Sequence, residues 1–284
     1  LIPTDSVISR VRTELSWWPY FIRRDIRELV SGWLGLGYYK QLKRMATQKK
    51  YPLSQMLNQR RYYMPIVKLP EIILTPKQYD FPRADDPLVH FSGPAILEDR
   101  QDLAFDWTQF NANKSLAYCS LGSLSHLYKN HESHFKKIMD IFANKPDWNL
   151  LMTVGEHLDI KEFESIPSNV TLVNRVPQLE VLQKAALAIH HGGINSVKEC
   201  IHFAVPMVMI APLNDCIGSA ARGHYHEVGI SVPFDAHSEQ ISEAIESVIS
   251  EPRYKRKLRE MQAVFKQADT THCAADFIEL YLNE

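Results

Sequence analysis

The residues best suited to chemistry lie in one short run, His190 to Glu199, which reads His-His-Gly-Gly-Ile-Asn-Ser-Val-Lys-Glu. A short apolar segment leads into the run and a helical pattern leads out of it, so the glycines fall in a turn at the start of a predicted helix. The first N–H groups of a helix are unpaired and carry about half a unit of positive charge. Glycines let an anion approach the backbone closely. The run therefore predicts a site for the diphosphate of a nucleotide.

An alternating pattern of strands and helices from Lys114 onwards would position this turn. The predicted strands are 115–119, 149–154, 170–174, 187–190, 206–210 and 230–232. The predicted helices are 126–144, 178–186, 194–203, 214–228, 238–250, 253–267 and 272–281. This alternation predicts an α/β fold, in which a parallel sheet carries helices on both faces. Because ligands bind beyond the carboxyl ends of such strands, the turns that follow them should meet in one crevice.

Composition narrows the function classes. With 284 residues, the chain should form one large domain or two modest ones. A net charge of −1 argues against bulk electrostatic binding of nucleic acid. Four widely separated cysteines form no metal-ligand pattern and favour a reduced, cytoplasmic protein. No apolar stretch reaches the ~20 residues that span a bilayer.

The segment from Val173 to Asp215 carries a specific resemblance. It contains Val-Asn-Arg-Val-Pro-Gln-Leu-Glu-Val-Leu, then the His-His-Gly-Gly run, then Ala-Val-Pro-Met-Val-Met-Ile-Ala-Pro-Leu-Asn-Asp. Together they closely resemble the donor-binding signature of family 1 glycosyltransferases, the UDP-glycosyltransferase type with the GT-B fold. The turn Ser120-Leu121-Gly122-Ser123 resembles a second motif of that family, and 72–94 resembles the end of its N-terminal domain.

The resemblance implies an α/β GT-B architecture of two Rossmann-like domains with parallel sheets, the N-terminal one incomplete in this chain. Residues 1–95 would be the remainder of the N-terminal, acceptor-binding domain, and 96–113 a linker. Residues 114–265 would be the C-terminal domain that binds the nucleotide-sugar donor. Residues 266–284 would form a C-terminal helix that could pack back on the N-terminal domain.

The resemblance also implies the residues of the donor site. They are Ser123, Arg175, Pro177, Gln178, His191, Gly193, Asn195, Ser196, Glu199 and Asp215. His191, Ser123 and the start of the helix after Gly193, with Asn195 and Ser196, would contact the diphosphate.

The remaining donor residues would hold the nucleoside and the sugar. Glu199 would accept hydrogen bonds from the ribose hydroxyls, which suits a carboxylate. Pro177 and Gln178 would lie against the base and the ribose, and Asp215 would hold sugar hydroxyls.

Two positions depart from the family pattern. Plant members usually carry a base-stacking Trp where this chain has Arg175, although a guanidinium can also lie flat on a base. Many members carry Gln where this chain has Cys216, a weak hydrogen-bonding group. The sequence therefore does not identify the sugar as glucose, and it allows dTDP-sugars as donors as well as UDP-sugars.

The implied activity is that of a hexosyltransferase. It would move a sugar from a nucleotide diphosphate donor, above all a UDP-sugar, to a hydroxyl of an apolar small-molecule or lipid acceptor. The transfer would invert the anomeric carbon and need neither metal nor cofactor. In the family the catalytic base is a His early in the N-terminal domain, which we expect to precede Leu1, so no catalytic residue is assigned.

Two other function classes remain as alternatives. The chain could be a non-catalytic nucleotide-sugar-binding module, or a half-enzyme that needs a partner chain. A Rossmann-type oxidoreductase is disfavoured, because no Gly-x-Gly-x-x-Gly follows the first strand of the α/β region.

Aromatic and basic residues alternate from Trp17 to Arg61 and admit three interpretations. The aromatic side chains could fill a core while the basic ones face water. The family resemblance suggests helices, predicted at 19–31 and 38–47, that line an apolar acceptor pocket. A third interpretation is peripheral contact with an anionic membrane surface.

Overall fold

The computed structural model describes most of the chain in segments. They are residues 44–50, 56–57, 66–67, 70–97, 104–123, 125–128, 131–163, 165–212, 214–271 and 274–282. One compact unit takes Leu1–Ile73 with Pro82–His90, and the other takes Leu74–Phe81 with Phe91–Glu284. The predicted helix at 19–31 lies outside the described residues, and so does most of the aromatic and basic segment.

The described part of the first unit consists of short elements. Residues 44–48 are helical, in agreement with the end of the helix predicted at 38–47. Strand β1 (Met56–Leu57) pairs antiparallel with β2 (Ile66–Val67). Strand β3 (Glu71–Ile73) follows Pro70 and forms a second two-stranded sheet with β4 (Val89–Phe91).

The second unit contains a six-stranded parallel sheet. Its strands are β5 (Ser115–Ser120), β6 (Trp148–Thr153), β7 (Val170–Val173), β8 (Leu187–His190), β9 (Met207–Ile210) and β10 (Gly229–Val232). Their order is β10-β9-β8-β5-β6-β7. The chain thus runs outwards from β5 in one direction and from β8 in the other. In such a doubly wound sheet, the ligand crevice lies where these two central strands end.

Helices cover both faces of this sheet. They are α1 (His131–Ala143), α2 (Gln178–Lys184), α3 (Ile194–His202), α4 (Asn214–Tyr225), α5 (Ser238–Ser250) and α6 (Pro252–Thr271). A further helix, α7 (Ala274–Leu282), follows α6, and most of its described side chains are exposed. Because successive strand residues point to opposite faces, neighbours enter different cores. Leu150 packs in the cluster that contains Ile138 of α1, whereas Leu151 packs in the cluster that contains Val197 of α3 and Phe265 of α6. Among the described helices, none has the length and apolar composition that crossing a membrane requires.

Most predicted elements appear close to their predicted bounds, and α5 matches 238–250. The first helix starts at His131 rather than at residue 126, because 125–127 form a separate 3₁₀ turn. Helix α2 ends at Lys184 rather than at residue 186. Ala185 is extended and the N–H of Ala186 donates to the carbonyl of Leu116, so the chain has already joined the sheet.

The sequence-based domain borders stay a prediction, but the structure differs from them in three places. Residues 74–81, predicted within the N-terminal domain, belong to the larger unit, where Tyr79 is fully buried. The predicted linker packs on the core of that unit through an aromatic group, Phe105, Trp107 and Phe110, and Trp107 Nε1 donates to Glu180 Oε1 at 2.5 Å. Helix α6 also runs without a break through the border predicted at 265.

Candidate functional site

Two turns lie side by side at the centre of the sheet. Ser120, the last residue of β5, is paired in register with His190, the last residue of β8. The turn that starts at Leu121 and the turn that starts at His191 therefore leave the same edge of the sheet together. This is the crevice that the strand order predicts.

The backbone of the second turn is shaped for a helix start. Gly192 has a φ of +79°, and a Cβ there would lie 3.0 Å from the carbonyl oxygen of Cys216. Its N–H donates to Nδ1 of the buried His190 at 3.0 Å, which ties the turn to the strand. Gly193 is extended and α3 begins with the next residue, with no side chain capping that end. The first N–H groups of α3 are thus available to an anion.

The imidazole of His191 fills the space between the two turns. A Cβ on Gly122 would lie 2.8 Å from its Cε1, and one on Gly193 would lie 2.5 Å from its Nε2. Within the described residues, His191 Nδ1 is buried without a hydrogen-bond partner. Burial lowers the pKa of His191, whereas the Ser120 backbone and the Asp215 carboxylate act in the opposite direction. Because this pKa lies below the ordinary value of 6.5, the ring is neutral at pH 7 beside the helix start.

A buried carboxylate lies one turn further along α3. Glu199 is 7% exposed, and Gln178 Nε2 donates to its Oε2. Gln178 is the first residue of α2 and follows the buried Pro177. The adjacent Lys198 is directed elsewhere, because its Nζ donates to the carbonyl oxygen of Pro94 at 2.8 Å. Burial lowers the pKa of Lys198, and Glu199 acts against that shift.

An open cleft of about 420 Å³ lies at the turn after β5 and at the ends of β6 and β7. Ser123, Arg175 and Gln178, all predicted as donor-site residues, line it. Arg175 is exposed, and its Nη1 lies 3.2 Å from Oε1 of Glu156, another lining residue.

Several lining residues of the cleft were not predicted from the sequence. They are Tyr118, Thr153, Glu156, His157 and Asn174. Most follow β6 or β7, so their position at strand ends was the signal that could have identified them.

The other predicted residues are not among those that line this cleft, although they follow the ends of β7, β8 and β9 at the same edge of the sheet. Asn195 is exposed and Ser196 half-buried in the first turn of α3. Asp215 is exposed in the first turn of α4. Burial and the neighbouring carboxylate raise the pKa of the Cys216 thiol to about 11, so this thiol stays neutral. The structure thus brings the predicted residues to one edge of the sheet. In the described segments, no group of three or more His, Cys, Asp or Glu side chains is placed to hold a metal ion.

Comparison with known proteins identifies the family. Residues 137–280, just over half of the chain, match the EryCIII-like family model, described as the C-terminal domain of erythromycin biosynthesis protein CIII-like proteins. The chain belongs to this family. As an EryCIII-like protein it is a member of the family 1 glycosyltransferases, which confirms the resemblance seen in the sequence.

Relatives of this EryCIII-like chain support the assignment. The NDP-glycosyltransferase YjiC of Bacillus subtilis is 29% identical over 75% of this chain and 53% of its own length. The protein of the same name in Bacillus licheniformis is 36% identical over 48% of this chain and 34% of its own length. The chain thus spans about half the length, or less, of these curated relatives.

A solved structure confirms the GT-B fold. The glycosyltransferase of kitacinnamycin is 28% identical to the EryCIII-like chain, with a TM-score of 0.64 over 73% of this chain and 53% of the solved one.

Proposed function

We propose that this chain binds a nucleotide diphosphate sugar in the crevice and belongs to an enzyme that transfers the sugar to an acceptor hydroxyl. One observation carries the proposal: the same helix, α3, has an uncapped start, the neutral His191 just before it and the buried Glu199 one turn further along. The first two suit a diphosphate and the third suits ribose hydroxyls. The two Bacillus relatives, named NDP-glycosyltransferases, support the same donor class. UDP-sugars are our first choice and dTDP-sugars our second.

The same geometry accounts for the departure of the nucleotide. When the bond from the anomeric carbon to the diphosphate breaks, negative charge develops on the leaving oxygen. Fixed N–H groups at the start of α3 and the His191 ring would stabilise that charge without rearranging. We therefore propose a metal-independent transfer. The acceptor oxygen attacks from the face opposite the diphosphate, so the anomeric carbon is inverted.

The acceptor and its base belong to the N-terminal domain in this proposal. The acceptor is an apolar molecule or lipid with a free hydroxyl, as the family resemblance implies. His190 binds the Gly192 N–H and His191 lies between two glycines, so we assign neither as the base. We place the base in the N-terminal domain. A cytoplasmic location and a membrane contact through residues 17–61 stay predictions.

Titration calorimetry with UDP and dTDP tests the donor site. We expect both nucleotides to bind the chain, and His191→Ala to weaken both by about tenfold, the loss of one hydrogen bond to a charged group. His224→Ala, at an exposed histidine near the end of α4, is the matched control and should bind like the unmodified chain. The absence of any heat with either nucleotide would refute the proposed function.

A second assay separates an enzyme from a binding module. The chain is incubated with UDP-glucose and with dTDP-glucose, and release of the free nucleotide is followed. Hydrolysis or transfer would exclude the non-catalytic module, whereas binding without turnover would favour a module or a half-enzyme.

A further inference from the structure

A line of hydrogen bonds links four elements behind the donor crevice. The hydroxyl of Tyr118, on β5, lies 3.1 Å from Oε1 of Gln178 and 3.0 Å from Oγ1 of Thr153, at the end of β6. Gln178, at the start of α2, then donates through Nε2 to Glu199 on α3. Tyr118 is 4% exposed, and its side chain lines the inner wall of the cleft.

The chemistry of these groups allows one direction of donation. A carboxylate only accepts, so the Gln178 amide must turn its NH₂ towards Glu199 and its oxygen towards Tyr118. An amide oxygen also only accepts, so the single hydroxyl hydrogen of Tyr118 is committed to Gln178. The Thr153 hydroxyl can donate to the Tyr118 oxygen at 3.0 Å or to the carbonyl oxygen of Cys119 at 3.3 Å, and neither choice changes the bond from Tyr118 to Gln178.

Burial keeps the Tyr118 hydroxyl protonated. Burial raises the pKa of Tyr118 to about 12, although the Thr153 and Ser120 hydroxyls act in the opposite direction. Tyr118 therefore keeps its proton throughout the physiological range. Without the Tyr118 hydrogen, the part-buried Gln178 oxygen would lose its hydrogen-bond donor. Such a loss is costly and would free the amide to rotate away from Glu199.

We propose that Tyr118 is a positioning residue for the ribose subsite: its hydroxyl orients the Gln178 amide, and the amide in turn orients the Glu199 carboxylate towards the ribose hydroxyls. This inference rests on the proposed function, because it assumes that Glu199 binds ribose. Tyr118 contributes through Gln178 and not through contact with the reacting atoms.

Two nucleotides distinguish this role from general support of the fold. The affinities of the chain and of Tyr118→Phe are measured for UDP and for 2′,3′-dideoxyuridine diphosphate, which lacks both hydroxyls. We expect Tyr118→Phe to weaken UDP about fivefold, the effect of one hydrogen bond, and to leave the dideoxy nucleotide unchanged. In a Gln178→Leu background the same substitution should have no further effect on UDP, because the link to Glu199 is already broken.

Tyr254→Phe is the matched control, because Tyr254 is a buried tyrosine on α6 whose hydroxyl accepts from Arg253. It should not change the ratio of the two affinities. Equal losses for both nucleotides in Tyr118→Phe, no loss for either, or an undiminished loss in the Gln178→Leu background would overturn the role of Tyr118. If the unmodified chain binds neither nucleotide, the proposed function fails and this inference fails with it.

Discussion

The two halves of the proposed donor crevice differ, because one is formed by backbone and the other by side chains. The turn from His190 to Gly193 uses backbone: a glycine with positive φ, an uncapped helix start and a ring packed against two glycines. The pair of Gln178 and Glu199 uses buried side chains from two helices. A backbone site recognises the charge and shape of a diphosphate, whereas a side-chain pair can recognise the hydroxyls of one sugar. We expect perturbations of the turn to affect every phosphate ligand and perturbations of the pair to affect ribose alone.

Acidification should have the largest effect, and it acts through His190 in the turn. Burial and, to a smaller extent, the neighbouring His191 lower the pKa of His190 from its ordinary 6.5 to about 3. Below pH 6.5 the unfolded chain therefore binds a proton that the folded chain does not. The free energy of unfolding should therefore be highest above about pH 7 and should fall below pH 6.5, by up to about 1.4 kcal/mol per pH unit for this group. Urea unfolding at pH 7.5, 6.5 and 5.5 measures the slope.

His190→Asn is the control for this slope. Its side-chain oxygen can still accept from the Gly192 N–H, but it does not titrate. The dependence on pH should become shallower by about one proton. An unchanged slope would show that His190 does not cause it.

Gly193→Ala tests the shape of the turn. Its φ of −60° suits alanine, but the new Cβ would lie 2.5 Å from His191 Nε2 and must displace the ring. We expect UDP, dTDP and pyrophosphate to lose affinity alike, by roughly 30-fold, because bonds to a charged ligand are lost. Calorimetry measures all three ligands. Gly218→Ala, a helical position with 3.4 Å to the end of Arg222, should bind normally. A loss of affinity for UDP and dTDP but not for pyrophosphate would contradict the assignment of the turn to the diphosphate.

Glu199→Gln tests the side-chain pair and should have a smaller effect. The substitution keeps the size of the side chain but removes the charge that strengthens its hydrogen bonds. We expect UDP affinity to fall about tenfold, while pyrophosphate affinity stays unchanged. The exposed Glu239→Gln is the control. Equal losses for UDP and pyrophosphate would remove the difference between the two halves of the crevice.

Arg175→Ala should have the smallest effect. Its ion pair with Glu156 is exposed on both sides and screened by water, so the free energy of unfolding should change by less than about 0.5 kcal/mol. If the guanidinium lies on the base, UDP affinity should fall about threefold without a change for pyrophosphate. Arg175→Trp should restore it. An equal loss for pyrophosphate would place Arg175 at the diphosphate instead.

The sequence predicts the turn better than the rest of the crevice, for a physical reason. Glycines before an amphipathic helix act locally, so the run from His190 to Glu199 indicates its own structure. Glu156 and Asn174 line the cleft at the turn after β5 only because β6 lies beside β5 and β7 lies beside β6. No short segment of the sequence specifies that strand order. Tyr118 has the burial expected of an apolar strand residue, so only the structure shows its hydrogen bond to Gln178.

The attachment of residues 74–81 to the larger unit has a consequence for recombining such enzymes. The hydroxyl of Tyr79 donates to the carbonyl of Ser219 at 3.1 Å, and Asp80 pairs with Arg222 at 2.7 Å. Ser219 and Arg222 both belong to α4, the helix with Asp215 in its first turn. A chimera joined at residue 113 would inherit that helix from one parent and its anchor from the other. Residues 82–90 return to the smaller unit, so no single crossover separates the units cleanly. Exchange of donor domains should therefore transplant 74–81 together with everything from residue 91 onwards.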